Sequence, residues 1–488
     1  MNRPTVASVE AGLPSATTGL RRGTLSAGFI TLLVVSAASP LSVVAGGFPL
    51  GIMLGNGAGT PALVVLALGL LLLFAAGYTA MATCVTSAGG FYAMIARGLG
   101  GRSGGVAAMV ALVGYLTIQF ALYGMLGAVM AESLQTQFGL AVPWWVCAFA
   151  TMFSVAYFGY RQIDFSARVL AGFVVAEYAV MLTLDLMILW SGGAHGINLD
   201  SFSPKVVTSG NPFIGLLFCF AAFIGFEATT IYSEEAKNPK RSIPIATFSA
   251  LLLVGVFYSF SLWCLVLGVG SGDVVSVISA LSEPTQLLYG VSDRFVGPYL
   301  TLLLRLLFAV SVYAGLISFH NAAARYMYSM GREGLLPAWL GRTHPWHRSP
   351  HTASLLQTGI CVAVVGGFAL GHADPVLSLF TWLSSLATIC VLLLMIGTTA
   401  AVISYFWRDQ QGHGLMRVRW LPVISGLGLC AVLLLAVANF HVLMGTSEHT
   451  STLVLSLVPI AIVLGWATAQ RLKWVDPQRF AKLGRDRS

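Results

Sequence analysis

Apolar residues occur along this chain in long blocks that are separated by short polar segments. A helix needs about 20 predominantly apolar residues to cross the hydrocarbon core of a membrane. The fold class predicted is therefore an all-α membrane protein with twelve transmembrane helices. The predicted spans are 28–56, 61–84, 104–135, 144–160, 168–190, 211–233, 245–269, 297–328, 352–371, 375–405, 420–441 and 451–470.

Composition supports this interpretation, because 57% of the 488 residues are hydrophobic and only 9% are charged. Such a chain leaves no segment for a sizeable water-soluble domain. The 7 cysteines are odd in number, lie mostly inside apolar blocks and lack the spacing of metal ligands. We interpret them as small residues of membrane helices, and we predict no metal and no cofactor.

The basic residues indicate how the helices are oriented, since cytoplasmic loops retain Lys and Arg. All 26 basic residues fall on one predicted side except Lys205 and Arg294 on the other side and Arg305 within a span. We therefore expect a multi-pass protein of the cell membrane with both termini in the cytoplasm. The residues before Arg21 are polar and the apolar region after Arg22 is too long for a signal peptide, so we predict no cleavable signal and a retained first span. This topology explains the net charge of +8, so nucleic-acid binding is not predicted.

The first span contains an unusual group of Gly and Pro residues in "SAASPLSVVAGGFPLGIMLGNGAG". Pro49 removes a helix hydrogen bond and clashes one turn back, close to Gly46. Because glycine tolerates unwinding, this pattern predicts a helix break over 45–47. A second interpretation is that these glycines only permit close helix packing.

The sixth span contains Gly225 two residues before Glu227, again near the predicted middle of the membrane. Non-helical backbone at this depth is tolerated only where it is buried in protein or lines a cavity. We predict a second break over 224–226. Two interrupted spans at corresponding positions of two five-helix halves are typical of secondary transporters built from inverted repeats.

Three segments carry a resemblance to a known family: "FIGFEATTIYSEEAKNPKRSIPIAT" in the sixth span and its loop, "SAGGFYAMIARGLG" from Ser87, and "ARYMYSMGREGLLPAWLGR" from Ala324. They resemble the amino acid-polyamine-organocation superfamily. This resemblance implies a leucine-transporter-type 5+5 inverted repeat with helices 1 and 6 broken. The implied parts are a cytoplasmic tail (1–27), two five-helix repeats (28–200 and 201–406), and two further helices with a basic tail (407–488).

The resemblance also implies a function, which is the transport of an amino acid or related amine through the lipid bilayer by alternating access. Half-helix amides and freed carbonyls would then bind the substrate at the two breaks. We expect Tyr115 and Gln119 to border the same cavity, because Tyr115, Gln119 and Tyr123 share one helical face; these side chains could instead simply pack. The predicted substrate-binding residues are Val44, Ala45, Gly46, Gly47, Tyr115, Gln119, Phe223, Ile224, Gly225 and Phe226. Ala221 stands where the arginine/agmatine exchangers of the superfamily have a tryptophan.

Glu227 is an isolated carboxylate among apolar residues, and an ionisable group at this depth is functional by default. We expect it to bond the amides freed at the second break, to link this segment to neighbouring helices, and to act as a proton acceptor or gate. The alternative is a permanently protonated structural acid.

Three further residues are candidates for coupling or gating: Glu177, His320 and Arg305. In the superfamily resemblance, Glu177 falls where some sodium-independent members have a lysine. It could hold a proton, pair with His320, or only tie two helices together. Arg305 could extend to the outer surface, pair with Glu132 or Asp185, or receive an anionic substrate group.

These features favour a sodium-independent transporter that is coupled to protons or works by exchange. A membrane-embedded enzyme is a second class, but the chain has no HExxH motif, and it has no Walker-type GxxxxGK[ST] motif for ATP. A solute sensor is a third class, and it would normally carry a soluble signalling domain.

Overall fold

A computed structural model of the protein describes residues 25–85, 89–161, 167–234, 236–344, 349–407 and 409–484. The predicted cytoplasmic tail up to residue 24 and Ser87 of the loop segment lie outside these ranges. Some of the basic residues used to orient the helices, such as Arg21, also lie outside the described ranges.

Helices account for the regular structure of the described residues, with one isolated bridge between Leu25 and Ala236. The longer helices are α1 (Ala27–Ala37), α2 (Thr60–Ala82), α3 (Gly90–Leu99), α4 (Gly101–Phe138), α5 (Trp144–Arg161), α6 (Ala167–Ser191), α7 (Pro212–Ala222), α8 (Pro239–Val269), α9 (Gln286–Phe295), α10 (Pro298–Glu333), α11 (His351–Leu370), α12 (Thr381–Tyr405), α13 (Leu421–Ala438) and α14 (Leu457–Val475). Shorter helical segments are Pro40–Ser42, Val43–Gly47, Phe48–Gly51, Ile52–Asn56, Gly57–Gly59, Asp200–Phe202, Pro204–Val207, Phe226–Glu234, Val274–Ala280, Ala338–Gly341, Pro375–Phe380, Met416–Trp420, Phe440–Met444, Glu448–Leu455 and Pro477–Ala481.

Ten helical stretches in the described ranges are long and apolar enough to cross a membrane. The first of them, Ala27–Ala82, is 56 residues long and contains the two spans predicted at 28–56 and 61–84. The span predicted at 144–160 corresponds to α5, which is not among the ten. The predicted all-α, multi-pass membrane protein is confirmed at this level.

Local capping chemistry sets several helix ends. The Ser26 hydroxyl accepts a hydrogen bond from the Phe29 amide before α1, and the Asn211 side chain does the same for Ile214 at the start of α7. Side chains of this type satisfy amides that have no partner within the helix. At the other end of α4, Gly139 has φ 67°, a left-handed conformation that ends helices and suits glycine.

Helix α4 lies at the centre of the bundle and packs against α3, α5, α10, α12 and α14. Its contact with α14 depends on two glycines. A Cβ atom added to Gly105 would lie 2.6 Å from the Ala469 Cβ, and one added to Gly465 would lie 2.6 Å from the Gly105 carbonyl oxygen. Small residues let membrane helices approach this closely.

We predict that Gly465→Leu destabilises the fold, because the new side chain would meet backbone atoms of α4 that cannot move aside. Overpacking of this kind costs about 1–3 kcal/mol. Thermal unfolding in detergent would show a lowered midpoint. Gly69→Leu is the matched control, since a Cβ at Gly69 meets nothing within 4 Å; equal midpoints for the two variants would contradict the packing account.

Candidate functional site

The first helix break lies between α1 and the segment Pro40–Ser42. Ser39 has φ 49° and ψ 66°, a left-handed conformation that is uncommon for a residue other than glycine. Pro40, which follows it, has no N–H to continue the helix. The Ser39 hydroxyl donates to the Ser311 carbonyl of α10 at 2.9 Å, which holds this conformation in place.

The second break follows α7, at the position that the sequence predicts. Gly225 has φ 111°, which a residue with a side chain rarely adopts, and the chain then continues as the 3₁₀ segment Phe226–Glu234. A Cβ atom at Gly225 would lie 3.7 Å from the Ala37 carbonyl carbon and 3.7 Å from the Ala38 amide nitrogen. The two breaks are therefore in contact with each other.

Each break has a backbone amide that is bound by a buried carboxylate. At the first break, Glu177 Oε2 accepts the Leu41 N–H at 3.2 Å and the Ser311 hydroxyl at 3.0 Å. At the second, Glu227 Oε2 accepts the Gly225 N–H at 2.9 Å, and its Oε1 accepts the Tyr115 hydroxyl at 3.0 Å. Glu177 is 3% exposed and Glu227 is 2% exposed.

The backbone of Glu227 also connects the second break to α2 by a hydrogen bond. The Tyr78 hydroxyl donates to the Glu227 carbonyl at 2.9 Å and lies 2.8 Å from the Thr230 hydroxyl. On α4, the ring of Tyr115 packs against that of Tyr326 at 5.2 Å between centroids. The predicted link from Glu227 to neighbouring helices is thus present in the geometry.

A cavity of about 60 Å³ lies beside the two breaks. Three serines provide its polar side-chain groups, and none of the described residues that line it carries a charge. The lining consists of Ala37, Ala38, Ser39, Ser42, Val43, Gly47, Ile118, Leu122, Met125, Phe218, Ala221, Ala222, Ile224, Phe319, Phe380 and Ser384.

The predicted position of the first break is wrong. The residues Val43–Gly47 form a π-helical turn and Gly47 has φ −72° and ψ −45°, so the backbone over 45–47 remains helical. The wider turn accommodates Pro49 without unwinding, and the chain leaves the helical conformation instead at Ser39. Gly47 lines the cavity, whereas Val44, Ala45 and Gly46 are buried beside it.

At the second break, Ile224 lines the cavity and Gly225 contacts the first break. Phe223 and Phe226 face elsewhere. Together with Ile224 they line a separate cavity of about 10 Å³ between α2 and α12.

The predicted face of α4 is also corrected. The cavity is lined by Ile118, Leu122 and Met125, whereas Tyr115 contacts Glu227 and Gln119 points away. Successive helical residues are about 100° apart, so Gln119, one position after the cavity residue Ile118, turns away from the cavity.

Gln119 instead belongs to a buried polar network. Its Nε2 lies 3.2 Å from the Tyr123 hydroxyl and 3.3 Å from His320 Nδ1, and its Oε1 accepts from Gln357. His320 Nε2 lies 2.8 Å from the Ser354 hydroxyl. Of the alternatives for Glu177, the pairing with His320 is therefore wrong: Ser311, two to three turns earlier on α10, donates to Glu177 instead.

Arg305 is not among the cavity residues and lies about two turns from the start of α10. Its Nη1 is 3.6 Å from Glu132 Oε1, and its guanidinium lies 4.1 Å from the centroid of the Tyr289 ring. Of the alternatives that the sequence leaves open, the structure thus shows the pairing with Glu132; Asp185 accepts from the Ser261 hydroxyl instead.

Several site residues escape sequence reasoning. Ser39, Ser42 and Ser384 are the polar side chains of the cavity, and Ser311 is the partner of Glu177. The sequence signal that could have located the break at Ser39 is Pro40, because the residue before a proline is disfavoured in the helical conformation.

Comparisons with known proteins agree with this architecture. The chain is 28% identical over 250 residues to the low-affinity putrescine importer PlaP of Escherichia coli (strain K12), covering 50% of this chain and 48% of the relative. It is 26% identical over 298 residues to the branched-chain amino acid permease BcaP of Bacillus subtilis (strain 168), covering 59% and 57%. A methylthioribose transporter of Bacillus subtilis (strain 168) is 27% identical over 220 residues, covering 43% and 42%.

The chain spans about half the length of the curated relatives it matches. These relatives are permeases or transporters and not enzymes. A family model described as amino acid permease matches residues 24–467. Because this match includes nearly all of the helical bundle, the chain belongs to the amino acid permease family.

Proposed function

We propose that this protein is a secondary transporter that carries a small, neutral amino acid with an apolar side chain across the cell membrane by alternating access. The observation that carries the proposal is the contact of two helix breaks beside an uncharged, buried cavity. Broken helices of this kind place backbone groups at a substrate site in the membrane. The cavity has room for only a few water molecules, so substrate entry requires the two breaks to separate.

We further propose that the chain has twelve spans in a 5+5 inverted repeat, with both termini in the cytoplasm. The long stretch Ala27–Ala82 contains two of the spans, and α5 adds one more to the ten stretches. The breaks after α1 and α7 occupy the first helix of each half. The repeats are 28–200 and 201–406, as the resemblance implies.

The polar end of the substrate is proposed to bind at the breaks. Ser39 and Ser42 line the cavity together with Ala37, Ala38 and Ile224. The Ser39 hydroxyl donates to the Ser311 carbonyl and the Ser42 hydroxyl to the Ser39 carbonyl, so both hydroxyl oxygens remain as acceptors. A substrate ammonium group needs acceptors, which the carbonyl oxygens of an interrupted helix and the serine hydroxyl oxygens supply, while a backbone amide released at a break can donate to the substrate carboxylate. Neither group would need a charged side chain.

The apolar part of the cavity lining is proposed to select the substrate side chain. Ile118, Leu122, Met125, Phe218 and Phe380 form this apolar surface. A diamine such as putrescine would bring a second charge onto this surface with no described carboxylate in the lining, which is strongly unfavourable. The branched-chain amino acid permease therefore suggests the substrate class better than the putrescine importer does.

Glu227 and Glu177 are the proposed proton sites. An ionised carboxylate binds the Gly225 or Leu41 amide with a charge-assisted bond, and protonation weakens that bond. The released amide then becomes available to the substrate or to a rearranged break. Of the described titratable groups around Glu227, Tyr115 donates to its carboxylate, and Tyr78 and Tyr326 lie close by. Sodium is not required in this scheme.

We predict that Gly47→Leu abolishes transport without unfolding the protein. A Cβ at Gly47 meets no atom within 4 Å, so the new side chain would enter the cavity rather than clash with the protein. Uptake of labelled L-valine into proteoliposomes, in sodium-free buffer, should be lost, while the unfolding midpoint stays near that of the wild type. Gly69→Leu is again the control and should transport normally.

Two results would contradict this proposal. Normal valine uptake by Gly47→Leu would place the substrate elsewhere. No uptake of any neutral amino acid by the wild type, with specific binding retained, would favour a solute sensor instead.

We predict that Glu227→Gln retains substrate binding and loses the pH dependence of uptake. Glutamine keeps an oxygen that accepts the Gly225 N–H, but it cannot exchange a proton. Binding and uptake are measured from about pH 5 to about pH 8, and Glu177→Gln is measured in parallel. Superimposable uptake profiles for wild type and Glu227→Gln would exclude Glu227 as the proton site.

A further inference from the structure

A second, larger cavity of about 860 Å³ lies between the end of α2, the start of α8 and the chain before α13. It is separate from the substrate cavity and shares no lining residue with it. Its lining includes Thr83 and Cys84 after α2, Pro244 and Ile245 of α8, and Gln411. The remaining lining residues are Lys240, Arg241, His413 and Arg417.

This cavity is positively charged. Lys240 and Arg241 are exposed, and within the described residues no ion pair is formed by either of them or by Arg417. Asp409, a carboxylate two residues before Gln411, accepts the Gln411 backbone N–H at 2.9 Å and is not among the described lining residues. Burial, and to a smaller extent the charge of Arg417, hold the pKa of His413 below its usual range. The positive charge at neutral pH therefore comes from the lysine and the two arginines.

Arg417 is held in place by α2. Its Nε donates to the Ala76 carbonyl at 3.1 Å, and its Nη2 donates to the Thr79 hydroxyl at 3.0 Å. A guanidinium has five N–H groups, so donors remain for a ligand. An arginine that is already oriented loses little freedom when it binds an oxyanion.

Exposed apolar side chains lie on the same segments of the chain as the residues of the charged cavity. Ile245, Leu415 and Met416 are each more than 40% exposed, and Trp407 and Trp420 are more than half exposed. Tryptophan at this position is typical of the boundary between lipid and water. The cations suit a lipid headgroup, and the exposed apolar side chains on the same segments suit contact with acyl chains.

We propose that this cavity binds the phosphate of an anionic membrane phospholipid. Basic pockets between membrane helices on the cytoplasmic side suit such headgroups. A bound lipid would bridge α2, the start of α8 and the chain before α13. Because α8 follows the 3₁₀ segment that contains Glu227, the lipid stabilises the protein next to the second break.

The inference rests on the proposed membrane orientation and not on transport itself. Its test is carried out in neutral detergent, where thermal unfolding is followed with dioctanoyl phosphatidylglycerol, dioctanoyl phosphatidylcholine or inorganic phosphate. We expect only phosphatidylglycerol to raise the unfolding midpoint. Because this test does not measure transport, the lipid-binding proposal can fail while the transport proposal stands.

The deciding variant is the double substitution Lys240→Gln with Arg241→Gln. Both side chains are exposed, so the midpoint without lipid should not change. Each basic residue near a membrane surface contributes to anionic lipid binding, and we expect this variant to need on the order of tenfold more phosphatidylglycerol for the same stabilisation. Arg102→Gln with Arg471→Gln removes the same charge outside the cavity and should respond like the wild type.

Three outcomes would overturn the proposal. Equal phosphatidylglycerol responses in the two double variants would show that the cavity does not bind the lipid. An equal shift with inorganic phosphate would identify a free anion as the ligand. An equal shift with phosphatidylcholine would show that the acyl chains act without the charged headgroup.

Discussion

The rest of this structure depends on how two interrupted helices satisfy their backbone groups inside a membrane. A buried amide without a partner costs about 1–3 kcal/mol, and no water is available in the hydrocarbon core to compensate. Here two buried carboxylates take that role, Glu177 at Leu41 and Glu227 at Gly225. Each carboxylate would itself be expensive to bury alone. The helix break and the acid therefore stabilise each other.

This pairing explains how one arrangement can be both stable and able to change. The carboxylates connect the breaks to rigid neighbours, Ser311 on α10 and Tyr115 on α4. The cavity between the breaks remains uncharged because both acids are turned towards backbone amides. In the proposed cycle, a proton on either acid loosens a break without placing a charge beside the substrate. Protonation of either acid then lowers the free energy needed to open the site.

The sequence predicts part of this site for physical reasons that are local. Gly225 and Glu227 stand out because a positive φ suits glycine and because a lone acid is conspicuous in an apolar block. The first break is different, since Ser39 is held in its left-handed conformation by a hydrogen bond to Ser311, 272 residues away in sequence. Likewise, periodicity shows that Tyr115 and Gln119 share a face of α4 but not which face meets the cavity. Those features depend on tertiary contacts and are not encoded in any short segment.

Hydrogen–deuterium exchange measured by mass spectrometry tests the central claim most directly. If each carboxylate holds its own break, Glu227→Ala should accelerate exchange in peptides that contain Gly225 and leave those around Leu41 near the wild-type rate. Glu177→Ala should do the reverse. Unchanged exchange at both breaks in both variants would contradict the claim that these carboxylates stabilise the interrupted helices.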